Sequence, residues 1–145
     1  MKTLSAVTTI SLLLLSTSIS APMFSQGPST ELSSRKLTVD EASELVQTAL
    51  EEGGATNLPG FGVETEPPNH DYPNFYFFEA MWHNPGKSAV IGNYAVDSRT
   101  GDVWNAVVCK EMKSAALRAK QKKIRKRIGL SDEEYGRIKK PGPMC

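Results

Sequence analysis

The feature that most constrains the fold is an aromatic run from Phe75 to His83, Phe-Tyr-Phe-Phe-Glu-Ala-Met-Trp-His. Aromatic residues favour extended backbone, and turn-forming residues bound the run on both sides. Successive side chains of a strand point to opposite faces, and both sets are largely apolar here. The sequence therefore predicts a strand whose two faces are both covered by other parts of the chain.

Two further strands are predicted after this run. Ser88 to Val96 follows across a four-residue turn, and Asp102 to Val108 follows across the turn 97–101, which starts with Asp and ends with Gly. Short connections of this kind join antiparallel neighbours. We expect an antiparallel meander, with Phe61 to Thr65 as a short fourth strand.

One amphipathic helix is predicted before the sheet. Thr38 to Glu41 has the Thr-x-x-Glu form of a capping box, and Gly53-Gly54 ends the segment. The apolar positions recur at helical spacing: Ala42, Leu45, Val46, Ala49 and Leu50. The predicted fold class is α+β, with this helix packed on a meander of three to four strands over residues 37–109.

The last part of the chain, residues 110–145, is predicted to be a basic helical extension. Lys110 to Ile128 lacks Gly and Pro and has a narrow apolar stripe, and Ser131 to Glu134 is a second capping box that opens a short helix. From 21 to 109 there are twelve acidic and four basic side chains, and from 110 to 145 these numbers are reversed. The two parts carry net charges of −8 and +8.

This charge separation leaves two interpretations open. The basic helix could dock on the chain's own acidic body, or it could present a contact surface to an external anion. The candidate contact residues are Lys122, Lys123, Lys126 and Arg127. An acidic protein or an anionic envelope surface fits such a helix. We expect no nucleic-acid partner, because we expect the chain to be exported and because the run contains no aromatic residue for stacking on bases.

The first twenty residues are typical of a secretory signal peptide. Lys2 precedes a mainly apolar segment from Leu4 to Ile19, which is shorter than the roughly 20 residues of a spanning helix. Ser18 and Ser20 are small residues at a peptidase site. We expect cleavage after Ser20, a flexible tether over 21–36, a secreted or periplasmic location, and no membrane span after cleavage.

The two cysteines, Cys109 and Cys145, lie at the two ends of the basic extension. In an oxidising compartment an even pair in a small exported domain predicts a disulfide, which would tie the C-terminus back to the body. A Cys109 nucleophile with His70 or His83 as its base is the weaker alternative. A metal site built from His70, Asp71, His83 and a cysteine shows no known ligand spacing.

The hairpin Tyr94 to Trp104 contains Val-Asp-Ser-Arg-Thr-Gly-Asp-Val. With the preceding helix, it resembles the small exported modules of the PepSY kind, where a "V-D-x-x-T-G-x-V" turn recurs. The order of elements over about residues 37–108 also resembles NTF2-like or cystatin-like immunity proteins. Either resemblance implies a module that binds or inhibits other proteins, often hydrolases, and that has no catalytic residues and no cofactor.

The sequence contains none of the common catalytic motifs, such as a Gly-rich phosphate loop or Gly-x-Ser-x-Gly. An acidic chain also offers carboxylate pairs for a hydrolase: Glu64 with Glu66, or Glu79 with Asp97. The function we predict is an exported, non-catalytic binding module that recognises or inhibits an envelope or secreted protein. The alternatives are a small envelope hydrolase with a carboxylate site and an anion-binding protein acting through the basic helix.

Aromatic side chains supply much of the affinity at protein interfaces when they are exposed together. The predicted contact surface is therefore one sheet face with four rings: Tyr76, Trp82, Tyr94 and Trp104. The alternative is that these rings are core residues beneath a helix.

Overall fold

The structure is a computed structural model that describes residues 35–143. The predicted signal peptide, most of the tether and Cys145 lie outside these residues. The described part of the chain contains three α-helices and five β-strands, which in chain order are α1 (Val39–Glu51), β1 (Phe61–Thr65), β2 (Phe75–Asn84), β3 (Lys87–Asp97), β4 (Val103–Asn105), β5 (Lys110–Glu111), α2 (Ala115–Arg127) and α3 (Asp132–Ile138). None of these helices is long and apolar enough to cross a membrane.

The five strands form one antiparallel sheet in the order β1-β2-β3-β4-β5. The α+β class and the meander are therefore confirmed, and the expected number of strands was too low by one. The predicted third strand, 102–108, is reduced to the three residues of β4, because the chain turns after Asn105. It returns as β5, where Trp104 is opposite Glu111.

The first helix begins as its capping box predicts. The Thr38 hydroxyl accepts a hydrogen bond from the Glu41 backbone N–H at 3.2 Å, and the Glu41 carboxylate accepts one from the Thr38 N–H at 2.9 Å. These bonds satisfy two backbone donors that a helix start leaves without partners. Capping thus fixes where α1 starts.

One face of the sheet packs against α1 and forms the main core. The largest buried side chains of this core come from the helix, from the central strands and from α2: Leu45, Val46, Leu50, Phe78, Tyr94, Val96, Val103 and Leu117. Across β2 and β3, Phe78 is opposite Tyr94. The helix face predicted from the apolar spacing is therefore correct.

The other face of the sheet carries Phe77, Ala95 and Trp104, as the strand register requires. All three are buried. The Tyr72 ring contacts Phe77 edge-on at a centroid distance of 6.1 Å. The end of the chain covers Trp104, since a Cβ at Gly142 would lie 2.6 Å from the indole Cδ2. Both faces of the aromatic strand thus have partners, as the sequence predicted.

The basic helix begins later than expected. Lys110 and Glu111 belong to the sheet, and α2 starts at Ala115 after Ser114, whose hydroxyl accepts from the Leu117 N–H at 3.0 Å. The predicted start at Lys110 was wrong because helix composition cannot reveal a strand that forms only by pairing with β4. The short α3 begins after Ser131, as predicted, with the Ser131 hydroxyl accepting from the Glu134 N–H.

Replacing a core residue of α1 should be far more costly than replacing its solvent-facing neighbour. Leu45 is 0% exposed, whereas Glu44 is exposed. We expect Leu45→Ala to lower the free energy of unfolding by about 2 to 5 kcal/mol and Glu44→Ala to be nearly neutral. Urea denaturation of both variants measures this difference. Equal losses would show that the helix packs through another face.

Candidate protein-binding surface

The turn between β3 and β4 is the point where the basic helix meets the body. The backbone N–H of Gly101 donates to the Asp97 carbonyl at 2.8 Å, and Gly101 has a φ of +74°. A Cβ at this glycine would approach Leu45 Cδ1 at 3.3 Å. Positive φ and close packing on α1 both favour glycine here. The turn that the sequence predicted is therefore also a packing element.

Asp102, the residue directly after this turn, is the centre of a buried polar network. Its carboxylate accepts hydrogen bonds from the Thr100 hydroxyl at 3.0 Å, from Arg125 Nη2 at 2.7 Å and from the Tyr135 hydroxyl at 3.0 Å. Arg125 also donates through Nε to the Thr100 carbonyl at 2.8 Å. One carboxylate therefore connects the β-turn to both α2 and α3.

Burial has an electrostatic cost at this position. Burial raises the pKa of the Asp102 carboxyl above its ordinary value, although Arg125, Lys139 and the hydrogen bonds from Thr100 and Tyr135 act in the opposite direction. A buried carboxylate is stable only with well-placed donors and cations. The network around Asp102 supplies them.

Further contacts dock the same helix. Gln121 is buried and donates to the Gly101 carbonyl at 2.9 Å. Arg127 forms an ion pair with Glu41 of α1 at 2.6 Å. The guanidinium of Arg125 lies 3.8 Å from the centre of the Tyr135 ring. Docking on the body, one of the two interpretations left open by the sequence, thus accounts for one side of α2.

The C-terminal segment is attached in a similar way. Lys139 donates to the Glu111 carboxylate of β5 at 2.8 Å, and its ammonium lies 5.4 Å from the Tyr135 ring. Burial acts to lower the pKa of Lys139, but the hydrogen bonds with Glu111 and Tyr135 outweigh it, and the pKa is raised. This pair keeps the chain end against the sheet.

The other side of α2 is a basic surface. Lys122, Lys123 and Lys126 are exposed, and no acidic side chain between residues 35 and 143 forms an ion pair with them. Arg118, Lys122 and Lys126 line a groove of about 570 Å³. Leu130, between α2 and α3, and Asp132, the first residue of α3, also line it. We call this feature the basic groove.

The structure therefore divides the predicted contact set Lys122, Lys123, Lys126 and Arg127. The three lysines face solvent, whereas Arg127 is engaged with Glu41. Arg118 was not among the predicted contact residues, yet it lies one helical turn before Lys122 in the groove. Its spacing of four from Lys122 and eight from Lys126 is the signal in the sequence that identifies it.

The predicted aromatic contact surface is not formed. Tyr94 is 5% exposed in the core below α1, and Tyr76 packs against the same core while its hydroxyl donates to the Leu37 carbonyl at 3.0 Å. Trp104 lies on the opposite face, 9% exposed. Trp82 is half-buried opposite Phe61. Strand pairing divides the rings between the two faces of the sheet, and packing buries them fully or partly. The prediction of one exposed face that carries all four rings was therefore wrong.

The candidate carboxylate pairs behave differently from each other. Glu64 is directly opposite Glu79 across β1 and β2. Burial raises the pKa of Glu66, and the negative charge of Glu79 raises it further. Asp97 is buried in an ion pair with Arg99 at 2.6 Å. It lies four residues along β3 from Asn93, which is the residue opposite Glu79. The pair Glu79 and Asp97 is therefore not brought together.

The histidines do not build a metal site in the part of the chain that is described. His83 contacts the Glu64 carboxylate at 3.2 Å and the Ser88 hydroxyl at 2.8 Å, and His70 is exposed in the loop before β2. Within residues 35–143, no group of three or more His, Cys, Asp or Glu side chains is arranged to hold a metal ion.

A solved type VI secretion system effector–immunity complex from Pseudomonas protegens contains a chain similar to this one. The TM-score is 0.59 and the sequence identity is 26%. The likeness covers 69% of this chain and 84% of that chain. No protein-family model and no curated protein matches the sequence.

Removing the charge of Asp102 should release the basic helix from the body. We expect Asp102→Asn to lower the free energy of unfolding by about 3 kcal/mol, because it leaves the half-buried Arg125 without its counter-charge. Asp71→Asn, at an exposed loop position, is the matched control and should be close to neutral. Thermal and urea unfolding test this. A similar small effect for both variants would mean that the network does not hold α2.

Proposed function

We propose that this chain is an exported protein-binding module that neutralises another secreted or envelope protein, in the manner of an immunity protein. The observation that carries the proposal is the likeness to a chain of an effector–immunity complex over 84% of that chain's length. At 26% identity, the likeness includes sequence as well as fold. It supports the protein-binding or inhibitor role that both resemblances imply.

The organisation of the surface supports a binding role. The aromatic residues are used in the two covered faces of the sheet, while a dense set of cations faces solvent on α2. The helix that carries these cations is fixed by Asp102, Glu41 and the Gly101 carbonyl. A fixed surface loses little conformational freedom on binding, which favours affinity. Export is part of the proposal and is supported by the signal sequence at residues 1–20.

Self-protection in the source organism tests the proposed function. Deleting the gene should make cells sensitive to siblings that have an active type VI secretion system, because a neutralising protein is then missing. The full chain should restore growth in co-culture, measured as surviving recipient cells. The matched control is the chain without residues 1–20, which should not restore growth if the partner acts outside the cytoplasm. Unchanged survival of the deletion strain would contradict the proposal.

We further propose that Cys109 and Cys145 form a disulfide in the exported protein. The described residues contain no free cysteine, and Cys145 lies outside them. The end of the described chain lies near Cys109. Gly142 packs on Trp104, which pairs with β5, and β5 begins directly after Cys109.

Mass measurement of the unreduced mature protein tests this bond. We expect a mass lower by about two hydrogens than that of the reduced chain, and no thiol that reacts with an alkylating reagent. Reduction should then lower the melting temperature, because closing the loop contributes about 4 kcal/mol. Two alkylated cysteines in the native exported protein would refute the pairing.

A further inference from the structure

Three of the four cations that line the basic groove form a regular row, and the fourth, Arg125, is paired with Asp102. Arg118, Lys122 and Lys126 are four residues apart on α2, so they recur about every 6 Å along one side of the helix. Like charges at this spacing repel and destabilise a helix. All three side chains are exposed, and none has an ion-pair partner within residues 35–143. The row is therefore an uncompensated positive surface.

The body of the protein does not neutralise this row, although residues 21–109 carry a net charge of −8. Two acidic residues that contact α2 are already engaged: Asp102 with Arg125, and Glu41 with Arg127. Of the acidic side chains, only Asp132 lines the groove itself. The groove thus keeps a net positive charge in a cleft that is large enough to receive a few side chains.

We infer that the basic groove binds an acidic segment of the partner protein, a conclusion that rests on the proposed function and names the chemistry of its partner. Carboxylates spaced one helical turn apart match the spacing of Arg118, Lys122 and Lys126. Charge complementarity of this kind fixes the register of a complex and speeds association.

The lining of the groove argues against two other anionic partners. No aromatic ring lines it, and single-stranded nucleic acid binds through base stacking on such rings. Leu130 is its one large apolar lining residue, whereas insertion at a membrane surface needs a broad apolar face. A protein segment rich in Asp or Glu needs only the cations that are present.

The test measures binding of a fluorescein-labelled peptide of glutamate and alanine, with glutamate at every fourth position, by fluorescence anisotropy at low salt. The groove variant is Arg118→Glu, Lys122→Glu, Lys126→Glu. The matched control is Lys87→Glu, Lys120→Glu, Lys140→Glu, which makes the same change in net charge at exposed lysines outside the groove. We expect the groove variant to bind about tenfold more weakly or worse, and the control to stay within about twofold of the wild type.

Folding is checked separately by the melting temperature of each variant. Where the charge reversal unfolds the chain, the neutral variant Arg118→Gln, Lys122→Gln, Lys126→Gln replaces it, and it should lose the same peptide binding. Equal loss in the groove and control variants would overturn the inference, because net charge would then explain binding. The same variants are also tested with a labelled oligonucleotide and with phosphatidylglycerol vesicles. A groove variant that still binds the peptide but no longer binds one of these two probes would overturn the inference in favour of that partner.

The co-culture assay separates this inference from the proposed function. A groove variant that folds and protects cells as well as the wild type overturns the acidic-segment inference and leaves neutralisation standing. A wild-type chain that gives no protection but binds the peptide through the groove overturns neutralisation and leaves the ligand chemistry standing. Loss of protection in the groove variant alone supports both.

Discussion

The contact between Asp102 and Arg125 is the interaction on which the arrangement of this molecule depends. It joins the turn after β3 to the basic helix, and through Tyr135 it also reaches α3. A carboxylate this deeply buried is unfavourable without donors, so the helices must be in place for the turn to be stable. The turn in turn packs Gly101 against α1. The sheet, the first helix and the C-terminal helices are therefore coupled at one residue.

This contact also determines how the positive charge of α2 is used. The two cations that dock on the body, Arg125 and Arg127, are both arginines, whose planar guanidinium can bridge a carboxylate and a carbonyl or ring at once. The side that faces solvent carries mostly lysines, whose charge stays hydrated. A single helix thus serves as a structural element on one side and presents an exposed basic surface on the other. The two interpretations of the basic helix are not exclusive.

The apolar faces of the sheet are likewise covered by other parts of the chain. A strand as aromatic as β2 would be an aggregation hazard if one of its faces were open. The main core covers one face, and the Tyr72 loop and the segment at Gly142 cover parts of the other. The chain end therefore has a structural role, and a disulfide at Cys145 would strengthen an attachment that Lys139 and Glu111 already make.

The sequence by itself determined the local features, because these depend on residues close together in the chain. The capping box at Thr38 and Glu41, the strand beginning at Phe75 and the turn ending at Gly101 each carry their own signal of hydrogen bonding, periodicity or backbone conformation. The buried face of α1 followed from its apolar spacing. The charge separation between the two parts was equally plain from the composition.

Only the tertiary structure decided which side of each element meets a partner. Trp104 lies away from the main core because the short β4 pairs it with Ala95, and a register of this kind depends on contacts distant in sequence. The start of α2 moved because β5 forms only by pairing with β4. Arg125 looks like any other cation in the run, and its role appears only when folding brings it 2.7 Å from Asp102. Composition gives the number of charges, whereas packing decides which of them are buried and which remain free to bind.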